Sequence, residues 1–329
     1  MSVGDVFGPG TAGTAGRGEP SSGPPGMVEY QVASQERVRL PRPVAFVFGG
    51  GGSLGAIQVG QLEALQETGL LPDIVVGTSI GSLNGAITAE DPRGASHRLA
   101  NIWPTVTEND VAPGGINRAI SAFRPNRTNL ISHAGVINMV QTHLKSRRFE
   151  DLAVPFGAVT FNARTNLITT LTSGALEPAL AASCSIPGVF PPVAYDDMLL
   201  FDGGMGANVP IRQAIAMGAK SLVVFDCMFP GTAYREPKNM QGSLLFALTT
   251  MLRQQVFGDL NLATSQMPVL YLPGPHEIPR LGPAFILDFS KTSVLMEGAY
   301  EATRDYLDTA TCDGSPGIYW PPLHNPTTY

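Results

Sequence analysis

Charged residues are scarce in this 329-residue chain, where Asp, Glu, Lys and Arg together make up 15% of the sequence. The net charge of −6 argues against nucleic acid as a partner, because phosphate-rich partners attract basic surfaces. No apolar run approaches the ~18–20 residues that a membrane-spanning helix requires. Hydrophobic residues nevertheless account for 43% of the chain, which is enough to build one large core or two small ones.

Cysteine is equally rare, with three residues that lie far apart at Cys184, Cys227 and Cys312. This spacing fits neither a disulfide framework nor a metal site, so we expect a reducing, cytoplasmic setting and no bound metal. Residues 1–26 contain neither a basic start nor an apolar segment, and a secretory signal peptide is therefore not expected.

The composition changes along the chain and predicts three parts. Residues 1–40 are rich in Gly, Pro, Ser and Thr and poor in large apolar side chains, which predicts a disordered leader. Residues 43–228 carry the regular apolar patterns of a catalytic domain. Residues 229–329 are predicted to form a mainly helical extension that packs on this domain.

The start of the ordered region alternates strands and helices. Residues 44–48 form an apolar run of strand length, residues 49–55 are glycine-rich, and residues 56–68 have helical spacing. A second strand is predicted at 74–76 and a second helix at 80–89. Such a β-α-β-α order predicts an α/β fold, a three-layer α/β/α sandwich with a mainly parallel central sheet.

The turn after the second strand holds a serine between two glycines, Gly77-Thr-Ser79-Ile-Gly81. A G-x-S-x-G sequence between a strand and a helix is typical of a nucleophile elbow, in which a tight turn exposes the serine hydroxyl. The glycine-rich residues 49–55 precede a helix and can direct backbone N–H groups at an oxyanion. Alternatively, each segment is an ordinary connection.

A serine nucleophile needs a base, and the sequence offers two kinds. In a Ser-His-Asp hydrolase of the α/β type the histidine comes late, and only His276 and His324 stand late enough. Asp202 ends an apolar strand and is followed by Gly203 and Gly204, which suits an open turn that presents the carboxylate. The same Asp-Gly pair is also a common turn signal.

These motifs, taken in order, resemble the patatin-like phospholipase family. The resemblance rests on the glycine-rich loop, the elbow at Ser79, the Asp-Gly-Gly at Asp202 and the segments ASCSIPGVFPP at 182–192 and NVP at 208–210. It covers about residues 44–226. It implies hydrolysis of lipid acyl esters by a Ser–Asp dyad, without a cofactor and with a lipid as the partner.

Carried over by position, the resemblance implies Ser79 as the nucleophile and Asp202 as its base. It implies an oxyanion loop at Gly50, Gly51 and Gly52, with supporting glycines at Gly55, Gly77, Gly81, Gly203 and Gly204. Leu54 departs from the family, which usually has Arg or Lys at this position, so a catalytically impaired lipid-binding protein is an alternative.

A dinucleotide-binding enzyme is a further alternative, since Gly50, Gly52 and Gly55 also satisfy G-x-G-x-x-G. That interpretation requires an acidic residue at the end of the second strand, where the elbow stands instead. The basic residues 145–148 suit either a solvated helix end or a peripheral contact with an anionic lipid surface. Oligomeric state does not follow from these patterns.

Overall fold

The computed structural model describes residues 37–112, 129–227, 237–276 and 285–321. Most of the predicted leader therefore lies outside the described residues. Its last part does not: Val38 forms a bridge with Cys312, and the Arg39 N–H donates to the Cys312 carbonyl at 2.8 Å. The described chain thus joins the body of the protein a few residues before the first strand.

Nine strands form one sheet in the described part of the chain. Their order is β5-β6-β3-β2-β1-β7-β8-β9, and β4 also pairs with β3. The strands are β1 Val44–Phe48, β2 Ile74–Thr78, β3 Phe156–Asn162, β4 Leu167–Leu171, β5 Val193–Tyr195, β6 Met198–Asp202, β7 Ser221–Phe225, β8 Pro268–Tyr271 and β9 Gly317–Tyr319. The central pairs are parallel, and the pairs that β4, β5 and β6 make are antiparallel.

Helices cover both faces of this sheet. They are α1 Ala56–Glu67, α2 Ile80–Glu90, α3 Ala95–Ile102, α4 Glu108–Val111, α5 Ala134–His143, α6 Leu176–Ser183, α7 Gly204–Ala207, α8 Ile211–Ala216, α9 Met240–Thr264 and α10 Thr292–Thr309. Short 3-10 turns add Gly52–Gly55, Trp103–Thr105, Phe149–Asp151, Phe285–Leu287 and Phe289–Lys291.

Alternate residues of β1 belong to different cores, which explains the layers. Val44, Phe46 and Phe48 pack with α1, α2, α3 and α10 on one face. Ala45 and Val47 pack with α8 and α9 on the other. Side chains alternate across a strand, so a fully apolar strand must be covered twice. The predicted three-layer α/β/α sandwich with a mainly parallel sheet is confirmed.

The C-terminal residues complete this architecture. The strands β8 and β9 extend the central sheet, while α9 and α10 lie in opposite helical layers. The helix α5 begins only at Ala134, because the N–H groups of Leu130 and Ile131 donate to the carbonyl of Val189. Within the described ranges, no helix combines the length and apolarity needed to cross a bilayer.

Candidate active site

Ser79 occupies the junction between β2 and α2 in a backbone conformation that side-chain-bearing residues rarely adopt, with φ 55° and ψ −128°. The turn is possible only because its neighbours are small: a Cβ on Gly81 would lie 2.4 Å from the Phe48 carbonyl oxygen. The Ser79 N–H donates to Ser183 Oγ at 2.9 Å, and the Ser79 carbonyl accepts from the Ser82 N–H at 2.8 Å. The predicted elbow geometry is therefore present and held on both sides.

Asp202 is the last residue of β6 and lies buried beside the elbow. Its N–H donates to the Ser185 carbonyl at 3.0 Å, and its Oδ1 accepts from the Gly204 N–H at 2.7 Å. Its second oxygen, Oδ2, is buried without a hydrogen bond of standard geometry among the described residues. Burial raises the pKa of Asp202 from 3.8 to about 6, against the lowering by the Ser79 hydroxyl and the Gly204 N–H.

The structure thus brings Ser79 and Asp202 together, as their strands suggest, since β2 and β6 both neighbour β3. The Ser79 hydroxyl acts on the carboxyl as a hydrogen-bond donor, yet it is not aligned on Oδ2 for a full hydrogen bond. Catalytic hydrogen bonds commonly tighten only when substrate is bound.

Some backbone N–H groups of the glycine-rich loop donate hydrogen bonds within the protein, and others do not. The Gly49 N–H donates to the Phe225 carbonyl and the Gly50 N–H to the Asn208 carbonyl, both at 2.9 Å. Within the described chain, no acceptor takes the N–H groups of Gly51 or Gly52. The geometry therefore leaves Gly51 and Gly52 as candidate oxyanion donors, while the Gly50 N–H already has an acceptor and the place of Gly50 in the oxyanion loop stays a prediction.

Gly50 lets the glycine-rich loop pack closely against the elbow at Ser79. A Cβ at this position would lie 2.8 Å from Asn208 Oδ1 and 3.3 Å from the Ser79 Cβ, so only glycine lets the loop contact the elbow. Gly52 has φ +60°, and a Cβ there would lie 2.4 Å from the Ile286 carbonyl oxygen. Leu54, where the family usually has a cation, is buried in the core beside α1.

An apolar cavity opens at Ser79 and Gly52 and holds about 900 Å³ of empty space, its mouth included. One wall is a single face of α2, formed by Ile80, Leu83, Asn84 and Ile87. The cavity therefore follows this helix for roughly 10 Å at 1.5 Å per residue. The opposite walls come from α3, α5 and two loops, and they include Leu99, Trp103, Val140, Leu144, Ile186, Phe190, Leu287 and Phe289.

Of the two histidines considered as bases, His276 does not line this cavity and His324 lies outside the described residues. His133, just before α5, lies near the site although no motif in the sequence marks it. Its Nε2 lies 2.8 Å from Ser185 Oγ, and the Ser185 carbonyl accepts the Asp202 N–H, so His133 reaches Asp202 only through Ser185. Burial lowers the pKa of His133. No sequence pattern predicts that His133 contacts the segment that holds Asp202.

Cys184 is buried and also lines the cavity. Burial and the nearby Asp202 raise the pKa of its thiol, which keeps the thiol protonated. No group of three or more His, Cys, Asp or Glu side chains arranged to hold a metal ion occurs in the ranges that the structure describes.

Comparison with known proteins places these residues in a family. The family model for patatin-like phospholipase matches residues 46–215, more than half of the chain. The rat patatin-like phospholipase domain-containing protein 7 is 35% identical over 193 residues, which are 58% of this chain and 14% of the rat protein.

Two other relatives extend the comparison. A lysophospholipase, NTE1, of Mycosarcoma maydis is 30% identical over 193 residues, covering 56% of this chain and 10% of its own. A patatin-like phospholipase domain-containing protein of Caenorhabditis elegans is 28% identical over 308 residues, covering 86% of this chain and 22% of its own. The chain thus matches less than a quarter of each relative's length. The family match spans the glycine-rich loop, Ser79 and Asp202, and the protein belongs to the patatin-like phospholipase family.

Proposed function

We propose that this protein is a serine acyl hydrolase that cleaves fatty-acyl ester bonds of phospholipids or related lipids. The observation that carries the proposal is the placement of a strained serine beside a half-partnered buried carboxylate at the mouth of an apolar cavity. Each feature alone has a structural explanation. Their coincidence at one point matches the needs of acyl transfer, a nucleophile, a base and a place for the acyl chain.

In the proposed reaction, Asp202 accepts the proton of the Ser79 hydroxyl as the serine oxygen attacks the ester carbonyl. The tetrahedral oxyanion accepts hydrogen bonds from the N–H groups of Gly51 and Gly52, and it faces the N-terminal end of α2. Collapse of this intermediate breaks the bond to the alcohol, which takes the proton from Asp202. Water then attacks the acyl-enzyme, with Asp202 again as the base, and releases the fatty acid.

The pKa of about 6 suits Asp202 to this role. An ordinary aspartate is a weak base for a serine hydroxyl, whereas a desolvated one binds a proton more tightly and is still ionised at pH 7 to 8. Because Oδ1 is engaged by the Gly204 N–H, Oδ2 is the oxygen that takes the proton.

We further propose a peripheral contact with a lipid surface through the first half of α9. This helix ends near the start of β8, so its N-terminal half points toward the carboxyl edge of the parallel strands, where Ser79 lies. Its 25 residues span roughly 37 Å, far more than the four residues of β8. Met240, Leu244, Leu248 and Met251 are more than half exposed, and no residue from 240 to 252 is charged.

The hydrolase proposal is tested with p-nitrophenyl esters and phospholipid vesicles as substrates, comparing wild type with Ser79→Ala. The matched control is Ser221→Ala, which removes another buried serine hydroxyl at the opposite edge of the sheet. Loss of hydrolysis in Ser79→Ala alone supports the nucleophile. Equal activity of Ser79→Ala and wild type would contradict it.

The same variants separate the alternatives. A catalytically impaired lipid-binding protein would bind vesicles in cosedimentation but show no Ser79-dependent ester cleavage. A dinucleotide-binding enzyme would show NAD-dependent quenching of tryptophan fluorescence.

For the surface contact, Leu244→Gln with Leu248→Gln is expected to reduce vesicle cosedimentation without lowering hydrolysis of a water-soluble ester, and unchanged cosedimentation would contradict that contact.

A further inference from the structure

Three buried polar side chains connect the wall of the cavity to the glycine-rich loop. Trp103 Nε1 donates to Asn84 Oδ1 at 2.9 Å, and Asn84 Nδ2 donates to Gln58 Oε1 at 2.8 Å. Gln58 Nε2 then donates to the Gly49 carbonyl at 2.7 Å, the first residue of the loop. All three side chains are at most 4% exposed. Buried polar groups that are satisfied in this way fix one local geometry.

We infer that Gln58, Asn84 and Trp103 are positioning residues that set the direction of the oxyanion donors and make it depend on whether the cavity is filled. This inference rests on the proposed hydrolase function, because it concerns the efficiency of that reaction. It assigns a role to buried amides that neither contact the scissile bond nor belong to the motifs in the sequence.

The network of Gln58, Asn84 and Trp103 holds both ends of the loop. Gln58 binds the carbonyl of Gly49, and Asn84 Nδ2 also donates to the carbonyl of Gly55 at 3.1 Å. Between these ends, Gly51 and Gly52 direct no N–H at any acceptor in the described residues. Glycines have little conformational preference of their own, so the anchored ends determine where the two N–H groups point.

The same network is part of the cavity wall. Asn84 and Trp103 both line the cavity. The indole also packs on the loop directly, since a Cβ on Gly55 would lie 2.9 Å from two of its ring carbons. An acyl chain in the cavity therefore contacts a ring that contacts Gly55 and is hydrogen-bonded to its anchor. Filling the cavity restrains the indole and, through it, the loop.

The three side chains of the network are uncharged. None of the three side chains titrates between pH 4 and 10, so loss of the network changes the rate without moving the pH dependence that Asp202 imposes. A variant that merely loosened the fold around Asp202 would instead shift the pKa of that carboxyl. This difference separates a positioning role from a general structural one.

Gln58→Met is the decisive variant, with Gln61→Met as its matched control. Both glutamines are fully buried on α1, one turn apart, and both donate to backbone carbonyls. Those of Gln61 belong to Leu272 and Pro273, away from the loop. We expect similar losses of Tm in both variants, but a fall of about tenfold or more in kcat only for Gln58→Met, within the range known for disturbed oxyanion donors.

KM for a short ester is expected to stay within about twofold of wild type, and the midpoint of the pH–kcat profile is expected not to move. Equal kcat values for the two variants, or a loss confined to KM, would overturn the positioning role. If wild type itself shows no Ser79-dependent hydrolysis, the proposed function fails instead, so the two failures are distinguishable.

The dependence on cavity filling is tested with Trp103→Phe, which keeps an aromatic ring but removes the N–H donor together with the second ring of the indole. Wild type is expected to show a higher kcat for p-nitrophenyl decanoate than for the butyrate, and Trp103→Phe is expected to reduce that ratio severalfold. Trp320→Phe is the control, since its ring packs on Tyr271 outside the cavity. An unchanged ratio in Trp103→Phe would contradict the coupling.

Discussion

Two buried aspartates lie near the glycine-rich loop and differ in how far their carboxyl groups are partnered. Asp202 ends β6 and is 5% exposed, while Asp226 follows β7 and is 3% exposed. Tyr271 donates its hydroxyl to Asp226 Oδ2 at 2.5 Å, whereas Asp202 Oδ2 has no aligned donor in the described chain. Burial alone therefore does not mark a reactive carboxylate. In the proposed mechanism the distinguishing feature is an oxygen left available beside the Ser79 hydroxyl.

The consequences extend to neighbouring groups. Burial, and then the adjacent aspartate, raises the pKa of a thiol in each case, that of Cys184 beside Asp202 and that of Cys227 beside Asp226. Burial and then Asp226 also raise the pKa of Tyr271, whose phenol stays protonated and donates to Asp226. Asp226 is thus held by Tyr271, whereas the proposed mechanism leaves Asp202 available to accept a proton. The predictions below test this difference.

The largest expected effect is on the rate. Asp202→Asn removes the proposed base and is expected to lower kcat by about 10²–10⁴-fold, the usual contribution of general base catalysis. Asp226→Asn is the matched control and is expected to retain kcat within about tenfold for the same folded fraction. Hydrolysis of a p-nitrophenyl ester measures both.

The same assay decides between carboxylate and histidine. A variant with both His276 and His324 replaced by Ala is expected to keep wild-type activity. Activity that survives Asp202→Asn but is lost in this histidine variant would contradict the Ser–Asp dyad and favour a Ser-His-Asp arrangement.

The second prediction concerns pH. Because only the ionised carboxylate accepts the serine proton, kcat/KM is expected to rise with pH through a midpoint of about 6 and to fall about tenfold per pH unit below it. An unperturbed aspartate would place the midpoint near 4. A pH–rate profile from 4 to 9 measures the midpoint, and Asp226→Asn should leave it in place.

Much of this arrangement could be predicted from the sequence because its signals are local. The apolar run at Val44–Phe48, the four glycines after it and the glycines around Ser79 specify a strand, a loop and a tight turn. The Asp-Gly-Gly at Asp202 follows an apolar strand in the same way. Such features depend on neighbouring residues, and the parallel sheet then brings the strand ends to one edge.

The rest depended on contacts between distant segments. The cavity combines α2, α3 and α5 with loops near Phe190 and Leu287, and nothing in their separate patterns shows that they meet. The N–H of Gly50 donates to the carbonyl of Asn208, more than 150 residues away, and no local pattern indicates this contact. The three-residue strand β9 is too short for periodicity to detect.

The third prediction is a gain of stability from Asp202→Asn. The pKa of Asp202 is raised to about 6 in the folded protein, so its favourable contribution is full below the ordinary value of 3.8 and is lost as pH rises through 6. The difference corresponds to roughly 3 kcal/mol at pH 8. Urea unfolding should show the variant more stable than wild type at pH 8, with the gap closing toward pH 4. A variant that is less stable at pH 8 would contradict this.

Tyr271→Phe makes the smallest change, the loss of one hydroxyl, and tests the contact between Tyr271 and Asp226. Asp226 Oδ2 loses its donor in a fully buried site, which is expected to cost about 1–3 kcal/mol of unfolding free energy. Tyr300→Phe is the control, because its hydroxyl bonds Glu67 at the surface and such contacts contribute little. Since Tyr271 does not touch Ser79 or Asp202, kcat and its pH midpoint should not change. A shifted midpoint would mean that the two aspartates act as one coupled unit, and the contrast between a structural and a reactive carboxylate would then be wrong.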